Sequence, residues 1–370
     1  MSATVTDVAH MAEALRLAKQ ARPSPNPRVG AVIVQKDGTV VGRGFHRHPG
    51  EPHAEILALN EAGFAAKGAT LYVTLEPCVH YGRTGPCADA VISAGISRVV
   101  VGTTDPDPRV NGAGVTKIKD AGIDVTVGVG EDDCKRLLAG YITHRTAGRP
   151  RVTVKAAISL DGYLATSLGD SKWISSEASR RLVHEMRADT DAVAVGIQTV
   201  IADDPSLTVR DVPGCSPVRL VLDSTLRIPM TSGLVRNEME PQVILAYTHA
   251  SDETLRALER KPHISLLQCT ADEQGRTNID DLLQKLGAQG ILSLLVEGGS
   301  RIISSFFHAE MVDDLVLFIA PKILGAGIPW TNYPQASTVA GSLRLSPIET
   351  ALIGDDILYR ATVIYPVKNP

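Results

Sequence analysis

The stretch from His53 to Cys87 constrains this chain more than any other. It reads His53-Ala54-Glu55, a helical segment, Thr74-Leu75-Glu76-Pro77-Cys78 and, after eight further residues, Cys87. An imidazole and two thiolates are good zinc ligands, and a set that stops at three leaves the fourth tetrahedral position to water. Zinc lowers the pKa of such a water towards neutrality and so provides hydroxide. A carboxylate two residues from the imidazole suits a proton carrier for that water, and Glu55 stands there. Pro52 fits the start of a helix and Gly63 its end, which puts His53 and Glu55 in the opening turn. Residues 69–75 read as a buried strand, with Cys78 just past its end. Cys87 opens a helix over 87–94 behind Pro86, where the positive end of the helix favours a thiolate. The competing reading is a structural zinc site. It needs a fourth protein ligand, for which His80 is the nearest candidate, and it has no use for Glu55.

The rest of the composition narrows the setting. A chain of 370 residues is long enough for two domains with sizeable cores. Its net charge of −4 gives no footprint for nonspecific nucleic-acid binding. Five cysteines form no disulfide framework; with Cys78 and Cys87 assigned to metal, Cys134, Cys215 and Cys269 read as buried or incidental thiols. The first residues are polar and lead into an amphipathic helix, and no apolar run reaches membrane-spanning length. A cytoplasmic location without membrane contact is the expectation.

Val8, Met11, Ala12, Leu15 and Ala18 repeat at helical spacing, with Asp7 as a cap. Three prolines then hold Pro23-Ser24-Pro25-Asn26-Pro27 extended. Asn26 presents both a donor and an acceptor there, although an ordinary turn role is the plainer reading. Residues 29–34 and 39–44 form a hairpin around Asp37-Gly38, and His46 and His48 follow on a loop. Strand, helix and strand continue through 98–103, 115–121 and 124–129, which argues for a parallel or mixed sheet with covering helices. Asp105-Pro106 lies just after a strand, where ligand loops of α/β proteins gather.

His-x-Glu with Pro-Cys and a second Cys resembles the ligand signature of the zinc-dependent nucleobase deaminases. Many of those have two residues between the cysteines, whereas eight stand here. With Pro25-Asn26-Pro27-Arg28-Val29-Gly30, Pro52-His53-Ala54-Glu55, Glu76-Pro77-Cys78 through Pro86-Cys87 and Asp105-Pro106, residues 8–145 resemble the deaminase of riboflavin biosynthesis. That resemblance implies a cytidine-deaminase-like α/β/α domain over 1–148, one Zn2+ on His53, Cys78 and Cys87, and Glu55 as the catalytic proton carrier. It further implies substrate contacts from Asn26, His46, Arg83 and Asp105. Two positions depart from the family: Asp107 stands where Asn is usual and Gly85 where Pro is common.

A short polar link, Thr146-Ala147-Gly148-Arg149-Pro150, precedes a fresh strand at 152–158, placing a boundary near 148. Further strands read at 191–196, 218–222, 291–296, 314–319 and 357–364. Ser175 and Ser176 offer caps for a helix between the 152–158 and 191–196 strands. Glu297-Gly298-Gly299-Ser300 joins a strand to a helix, and two such glycines let a phosphate approach free N–H groups, though a tight turn is the commoner meaning. No Rossmann or Walker fingerprint is present. Lys155 to Gly162, Ser171-Lys172-Trp173-Ile174-Ser175, Gly196 to Arg210, Val221-Leu222-Asp223-Ser224 and Val296-Glu297-Gly298-Gly299 resemble the riboflavin-pathway reductase. The resemblance implies a dihydrofolate-reductase-like α/β domain over 149–370 that binds NADPH without a Rossmann motif. It implies cofactor contacts at Ala157, Trp173, Thr199, Asp203 and the run Gly299, Ser300, Arg301, Ile302, Ile303, Ser304, Ser305. Substrate contacts are implied at Ser171, Arg187, Leu207, Arg210 and Glu297, with Lys155 nearby. Arg187 and Arg210 are suited to clamping a phosphate; surface solvation is their plainer reading. Homo-oligomers are expected from the reductase half. The substrate so implied is a small phosphorylated pyrimidine, deaminated in the first half and reduced in the second. Two other readings remain open: a nucleotide or tRNA deaminase fused to an unrelated reductase, and a zinc-stabilised binding protein without catalysis.

Overall fold

The computed structural model describes residues 4–81, 85–239, 241–333 and 338–366. They fall into two compact units, Met1–Arg149 and Pro150–Pro370. The first runs α1 (Val5–Ala18), β1 (Gly30–Val34), β2 (Val40–Phe45), α2 (Ala54–Ala62), β3 (Thr70–Leu75), α3 (Cys87–Ser93), β4 (Arg98–Thr103), α4 (Ala113–Asp120), β5 (Asp124–Val127), α5 (Glu131–Leu137) and α6 (Ala139–Ala147). Its sheet has the order β2-β1-β3-β4-β5. β1 pairs antiparallel with β2 and β3, and β3, β4 and β5 are parallel.

Local chemistry sets these elements. α1 begins in a capping box: the Thr4 hydroxyl accepts the Asp7 N–H and the Asp7 carboxylate accepts the Thr4 N–H. Asp7, expected as the cap, is therefore the reciprocal partner three residues in. Its buried carboxylate also takes hydrogen bonds from Tyr72 on β3 and Arg98 on β4, which ties α1 to the sheet. Met11, Ala14 and Leu15 pack there against Val32, Tyr72 and Val100. α2 lies directly on β2: a Cβ at Gly44 would stand 2.1 Å from the Ala54 carbonyl oxygen, so only glycine permits the approach.

The second unit runs β6 (Arg151–Ser159), β7 (Tyr163–Thr166), α7 (Glu177–Ala188), β8 (Ala192–Gly196), α8 (Ile197–Asp203), β9 (Val218–Leu222), α9 (Gly233–Arg236), β10 (Val243–Tyr247), α10 (Asp252–Glu259), β11 (Ile264–Gln268), α11 (Ile279–Ala288), β12 (Ser293–Val296), α12 (Ser300–His308), β13 (Asp314–Ala320), β14 (Gly327–Pro329), β15 (Arg344–Ile353) and β16 (Asp356–Ile364). Nine strands form one sheet, β11-β10-β9-β8-β12-β6-β13-β16-β15. β11 through β13 are parallel, and β16 and β15 close the edge antiparallel. The central stretches of β8, β10, β12 and β13 are apolar and buried, as cover on both faces demands. One core sets Val152, Val154 and Leu294 against α11 and α12; a second gathers Val193, Val221 and Leu245 against Leu234 and Leu258. β8, β12 and β6 lie side by side, so the loops after them share one end of the sheet. No helix among the described residues is long and apolar enough to cross a membrane.

Candidate functional sites in the two units

His53 is the N-cap of α2, with extended backbone, and the helix proper starts at Ala54. Cys78 follows β3, and Cys87 is the first residue of α3. These three segments bring His53, Cys78 and Cys87 together, with all ligand atoms within 4.8 Å of one another. His53 Nδ1 stands 3.2 Å from Cys87 Sγ and 3.7 Å from Cys78 Sγ. A tetrahedral zinc ion with ordinary bond lengths separates nitrogen and sulfur by about 3.6 Å, so the trio fits that metal. The Cys87 N–H points at Cys78 Sγ from 3.5 Å, as a thiolate requires. Hydrogen bonds from Cys87 and His53 bring Cys78 down to about 4. Its bond to Cys78, burial and Glu55 push Cys87 up. His80, the candidate for a fourth ligand, is not part of the cluster found among the described residues.

Glu55 lies in the first turn of α2 and is 4% exposed. Burial raises its carboxyl to about 7, against the pull of His53. A group at that value can both accept and release a proton near neutrality.

The expected substrate residues of this unit are arranged unequally. Asn26 and His46 meet, with Asn26 Nδ2 2.9 Å from His46 Nε2, and the His46 ring stands 5.2 Å from that of His53. Asp105 is buried, and its carboxylate accepts the Asp107 N–H and the Tyr141 hydroxyl. Burial raises Asp105 above its usual range. Asp107 is engaged by the Arg109 guanidinium at 2.6–3.2 Å, which lowers it to about 2. The charge that sets Asp107 apart from the family's Asn is thus neutralised within the chain. Arg83 lies outside the described residues.

Glu76, a motif residue to which the sequence gives no role, acquires one here. Its buried carboxylate accepts N–H groups from Asp105, Gly112 and Val115 at 2.9–3.1 Å. It therefore fastens the Cys78 segment to the Asp105 loop and to the start of α4. Its partners are backbone atoms 29 to 39 residues away, which leave no mark in the order of side chains.

In the second unit, Arg187 on α7 meets Glu297 after β12 in a two-bond pair at 2.6 and 3.0 Å and also donates to the Thr208 carbonyl. Lys155 on β6 stands 3.9 Å from the same carboxylate. Burial opposes the Glu297 charge, but Arg187 and Lys155 outweigh it and hold the carboxyl below its usual range. Burial lowers Lys155. Arg187, expected as a phosphate clamp, is paired with Glu297 here. Arg210 is exposed and donates to the Ser206 hydroxyl, while its backbone N–H donates to His184 Nδ1. Leu207 is buried at φ 58°, a strained conformation for a branched side chain.

Thr199 and Asp203 lie on α8, and Asp203 pairs with Lys172 at 3.2 Å beside Ser171 and Trp173. Trp173 is 63% exposed with Arg180 stacked 4.6 Å from its ring, which rules out core packing for it. Ala157 is half-buried on β6. The Gly299–Ser305 run divides. Gly299 is the N-cap of α12 and offers no side-chain acceptor, so the first N–H groups have no side-chain cap. A Cβ on Gly298 would collide with Ile302 at 1.6 Å, which keeps this approach bare. Ser300 is buried and receives a hydrogen bond from Asn332, another residue the sequence did not mark. Arg301 is exposed and Ser305 partly so, whereas Ile302, Ile303 and Ser304 face inward.

Comparison with known proteins places both units. The family profile described as the cytidine and deoxycytidylate deaminase zinc-binding region matches residues 4–103, and that of the RibD C-terminal domain matches 150–359. The riboflavin biosynthesis protein RibD of Aquifex aeolicus is 44% identical over 356 residues, 95% of this chain and 97% of that one. The protein of the same name from Escherichia coli is 40% identical over 340 residues, covering 86% and 89%. Among solved structures, Acinetobacter baumannii RibD superposes with a TM-score of 0.85 at 37% identity, covering 97% of this chain and 99% of that chain. The diaminohydroxyphosphoribosylaminopyrimidine deaminase/5-amino-6-(5-phosphoribosylamino)uracil reductase of Thermotoga maritima gives 0.85 at 38%, with the same coverage. With a deaminase-type zinc-binding region and a RibD reductase domain on one polypeptide, the chain belongs to the RibD family of bifunctional deaminase/reductases of riboflavin biosynthesis.

Proposed function

We propose that the protein performs two successive reactions on one phosphorylated pyrimidine. The first unit removes the 2-amino group of 2,5-diamino-6-(5-phospho-ribosylamino)pyrimidin-4-one as ammonia. The second reduces the ribosyl side chain of the deaminated product to ribityl. The observation that supports this most is the three-ligand cluster with a buried, near-neutral carboxyl two residues from its histidine.

In the first unit, His53, Cys78 and Cys87 would hold zinc, which would supply water activated for attack near neutral pH. Glu55 holds the proton of that water at its carboxylate and returns it to the departing amine. Its value of about 7 suits both halves of the transfer. Asn26 and Asp105 orient the ring, and Arg83 is assigned to the phosphate. In the second unit NADPH supplies hydride. Gly299, Ser300 and Arg301 at the uncapped start of α12 offer N–H groups to its phosphates, and Ala157, Trp173, Thr199 and Asp203 line the remainder. Ser171, Leu207, Arg210 and the Arg187–Glu297 pair hold the sugar phosphate. These residues align donor and acceptor and exclude water. The reading includes a homo-oligomer in a reducing, cytoplasmic setting; none of the five cysteines is disulfide-bonded.

A coupled assay tests it. Ammonia release should come first, followed by NADPH oxidation of matching amount. Ammonia from cytidine or adenosine nucleotides, and none from the diaminopyrimidine, would contradict it.

A further inference from the structure

The hydrogen-bond inventory around His46 fixes more than the position of a ring. His46 Nδ1 lies 3.3 Å from the Pro52 carbonyl oxygen, which can only accept, so Nδ1 bears the proton. Nε2 of the neutral ring is then an acceptor, and its neighbour at 2.9 Å is the Asn26 amide nitrogen. Both ring nitrogens are thereby used inside the protein. The Asn26 amide, in turn, cannot rotate: exchanging its ends would set Oδ1 against the Nε2 lone pair. Its oxygen has no partner among the described residues. The backbone holds both residues in place, with the Asn26 N–H on the Pro23 carbonyl and the His46 N–H on the Val29 carbonyl at the end of the hairpin. His46 is 3% exposed, and its ring is edge-on to that of His53.

We propose that His46 is a positioning residue rather than a substrate contact, and that it locks the Asn26 carboxamide with Oδ1 turned to the pyrimidine as an obligatory hydrogen-bond acceptor. This rests on the deaminase reading of the first unit and adds a selection rule to it. The ring must present an N–H at that edge. The diaminopyrimidinone has such groups in its ring nitrogen and exocyclic amines, whereas an analogue with only a lone pair there is repelled by Oδ1.

The test uses the full-length, zinc-loaded protein and a double-mutant cycle on ammonia release from the diaminopyrimidine. Each preparation is also assayed for zinc per chain and for reduction of the already deaminated compound. Asn26→Ala and His46→Phe should each lower kcat/KM by about 10- to 100-fold, the value of one desolvated hydrogen bond. The double variant should be no worse than Asn26→Ala alone, because His46 acts only through Asn26. His46→Gln, whose amide reaches the place of Nε2, should recover most of the loss. His46→Asn, which reaches only the place of Nδ1, should not. Losses that multiply in the double variant would show an independent contact by His46 and overturn the proposal. So would equal rescue by Gln and Asn, or zinc loss common to His46→Phe and His46→Gln. If the unaltered protein released no ammonia from this substrate, the deaminase reading would fail together with it.

Discussion

The two units keep their chemistry in different kinds of atoms. In the first, the candidate site is made of side chains whose types are diagnostic: an imidazole, two thiols and a carboxyl, three of them at the starts of helices. In the second, the candidate cofactor site is a bare helix start, and the candidate substrate site centres on an ion pair whose partners come from α7 and the end of β12. A site made of scarce ligand types declares itself along the chain, whereas one made of backbone N–H groups and paired charges declares itself only after folding.

This contrast predicts separable failures. The largest concerns the metal. Stripping zinc with a chelator, or Cys87→Ser, should abolish ammonia release, by more than about 10³-fold, and leave reduction of the deaminated substrate intact. Parallel loss of both activities would erase the distinction between the units. Next comes Glu297→Gln, which strands Arg187 and Lys155 beside a neutral amide. Reduction should fall by about 10²-fold, and the second unit should lose about 3 kcal/mol in denaturant unfolding. Ammonia release should be unaffected.

Asp7→Asn sharpens the same comparison through stability. Burial works against the Asp7 charge, but hydrogen bonds from Arg98, the Thr4 N–H and Tyr72 hold the carboxyl far below its ordinary 3.8. The stabilisation is therefore complete above about pH 4 and fades as pH falls towards the folded-state value. The variant should cost the first unit about 3 kcal/mol at pH 7, and the gap from the unaltered protein should narrow in unfolding series below about pH 4. A gap constant with pH would mean that the charge is not what matters. The smallest effect is Arg210→Ala. This exposed side chain should raise the KM of the reduction about tenfold with kcat and ammonia release unchanged.

Much of the first unit could be read from residue order. The hairpin, the α2 boundaries and the burial of β3 follow from proline, glycine and apolar spacing, and the zinc trio from ligand type. The role of Asp7 as box partner, the three N–H groups collected by Glu76 and the neutralisation of Asp107 by Arg109 could not, because each depends on an atom brought in by tertiary structure. In the second unit the strands read as apolar runs, yet β10 and β11 carry no motif that marks them. β15 is not legible either: its residues are mostly exposed and include Pro347 at a register shift. The Arg187–Glu297 pair was legible as two separate residues, not as one unit.

The most direct measurement of the central claim uses Glu55→Gln. This variant keeps the three proposed zinc ligands, His53, Cys78 and Cys87, and removes the proposed proton carrier. Supplied with the diaminopyrimidine, it should retain one zinc per chain, release no ammonia and oxidise no NADPH; supplied with the deaminated compound, it should oxidise NADPH at the unaltered rate. Ammonia release at the unaltered rate, or failure to reduce the deaminated compound, would contradict the account.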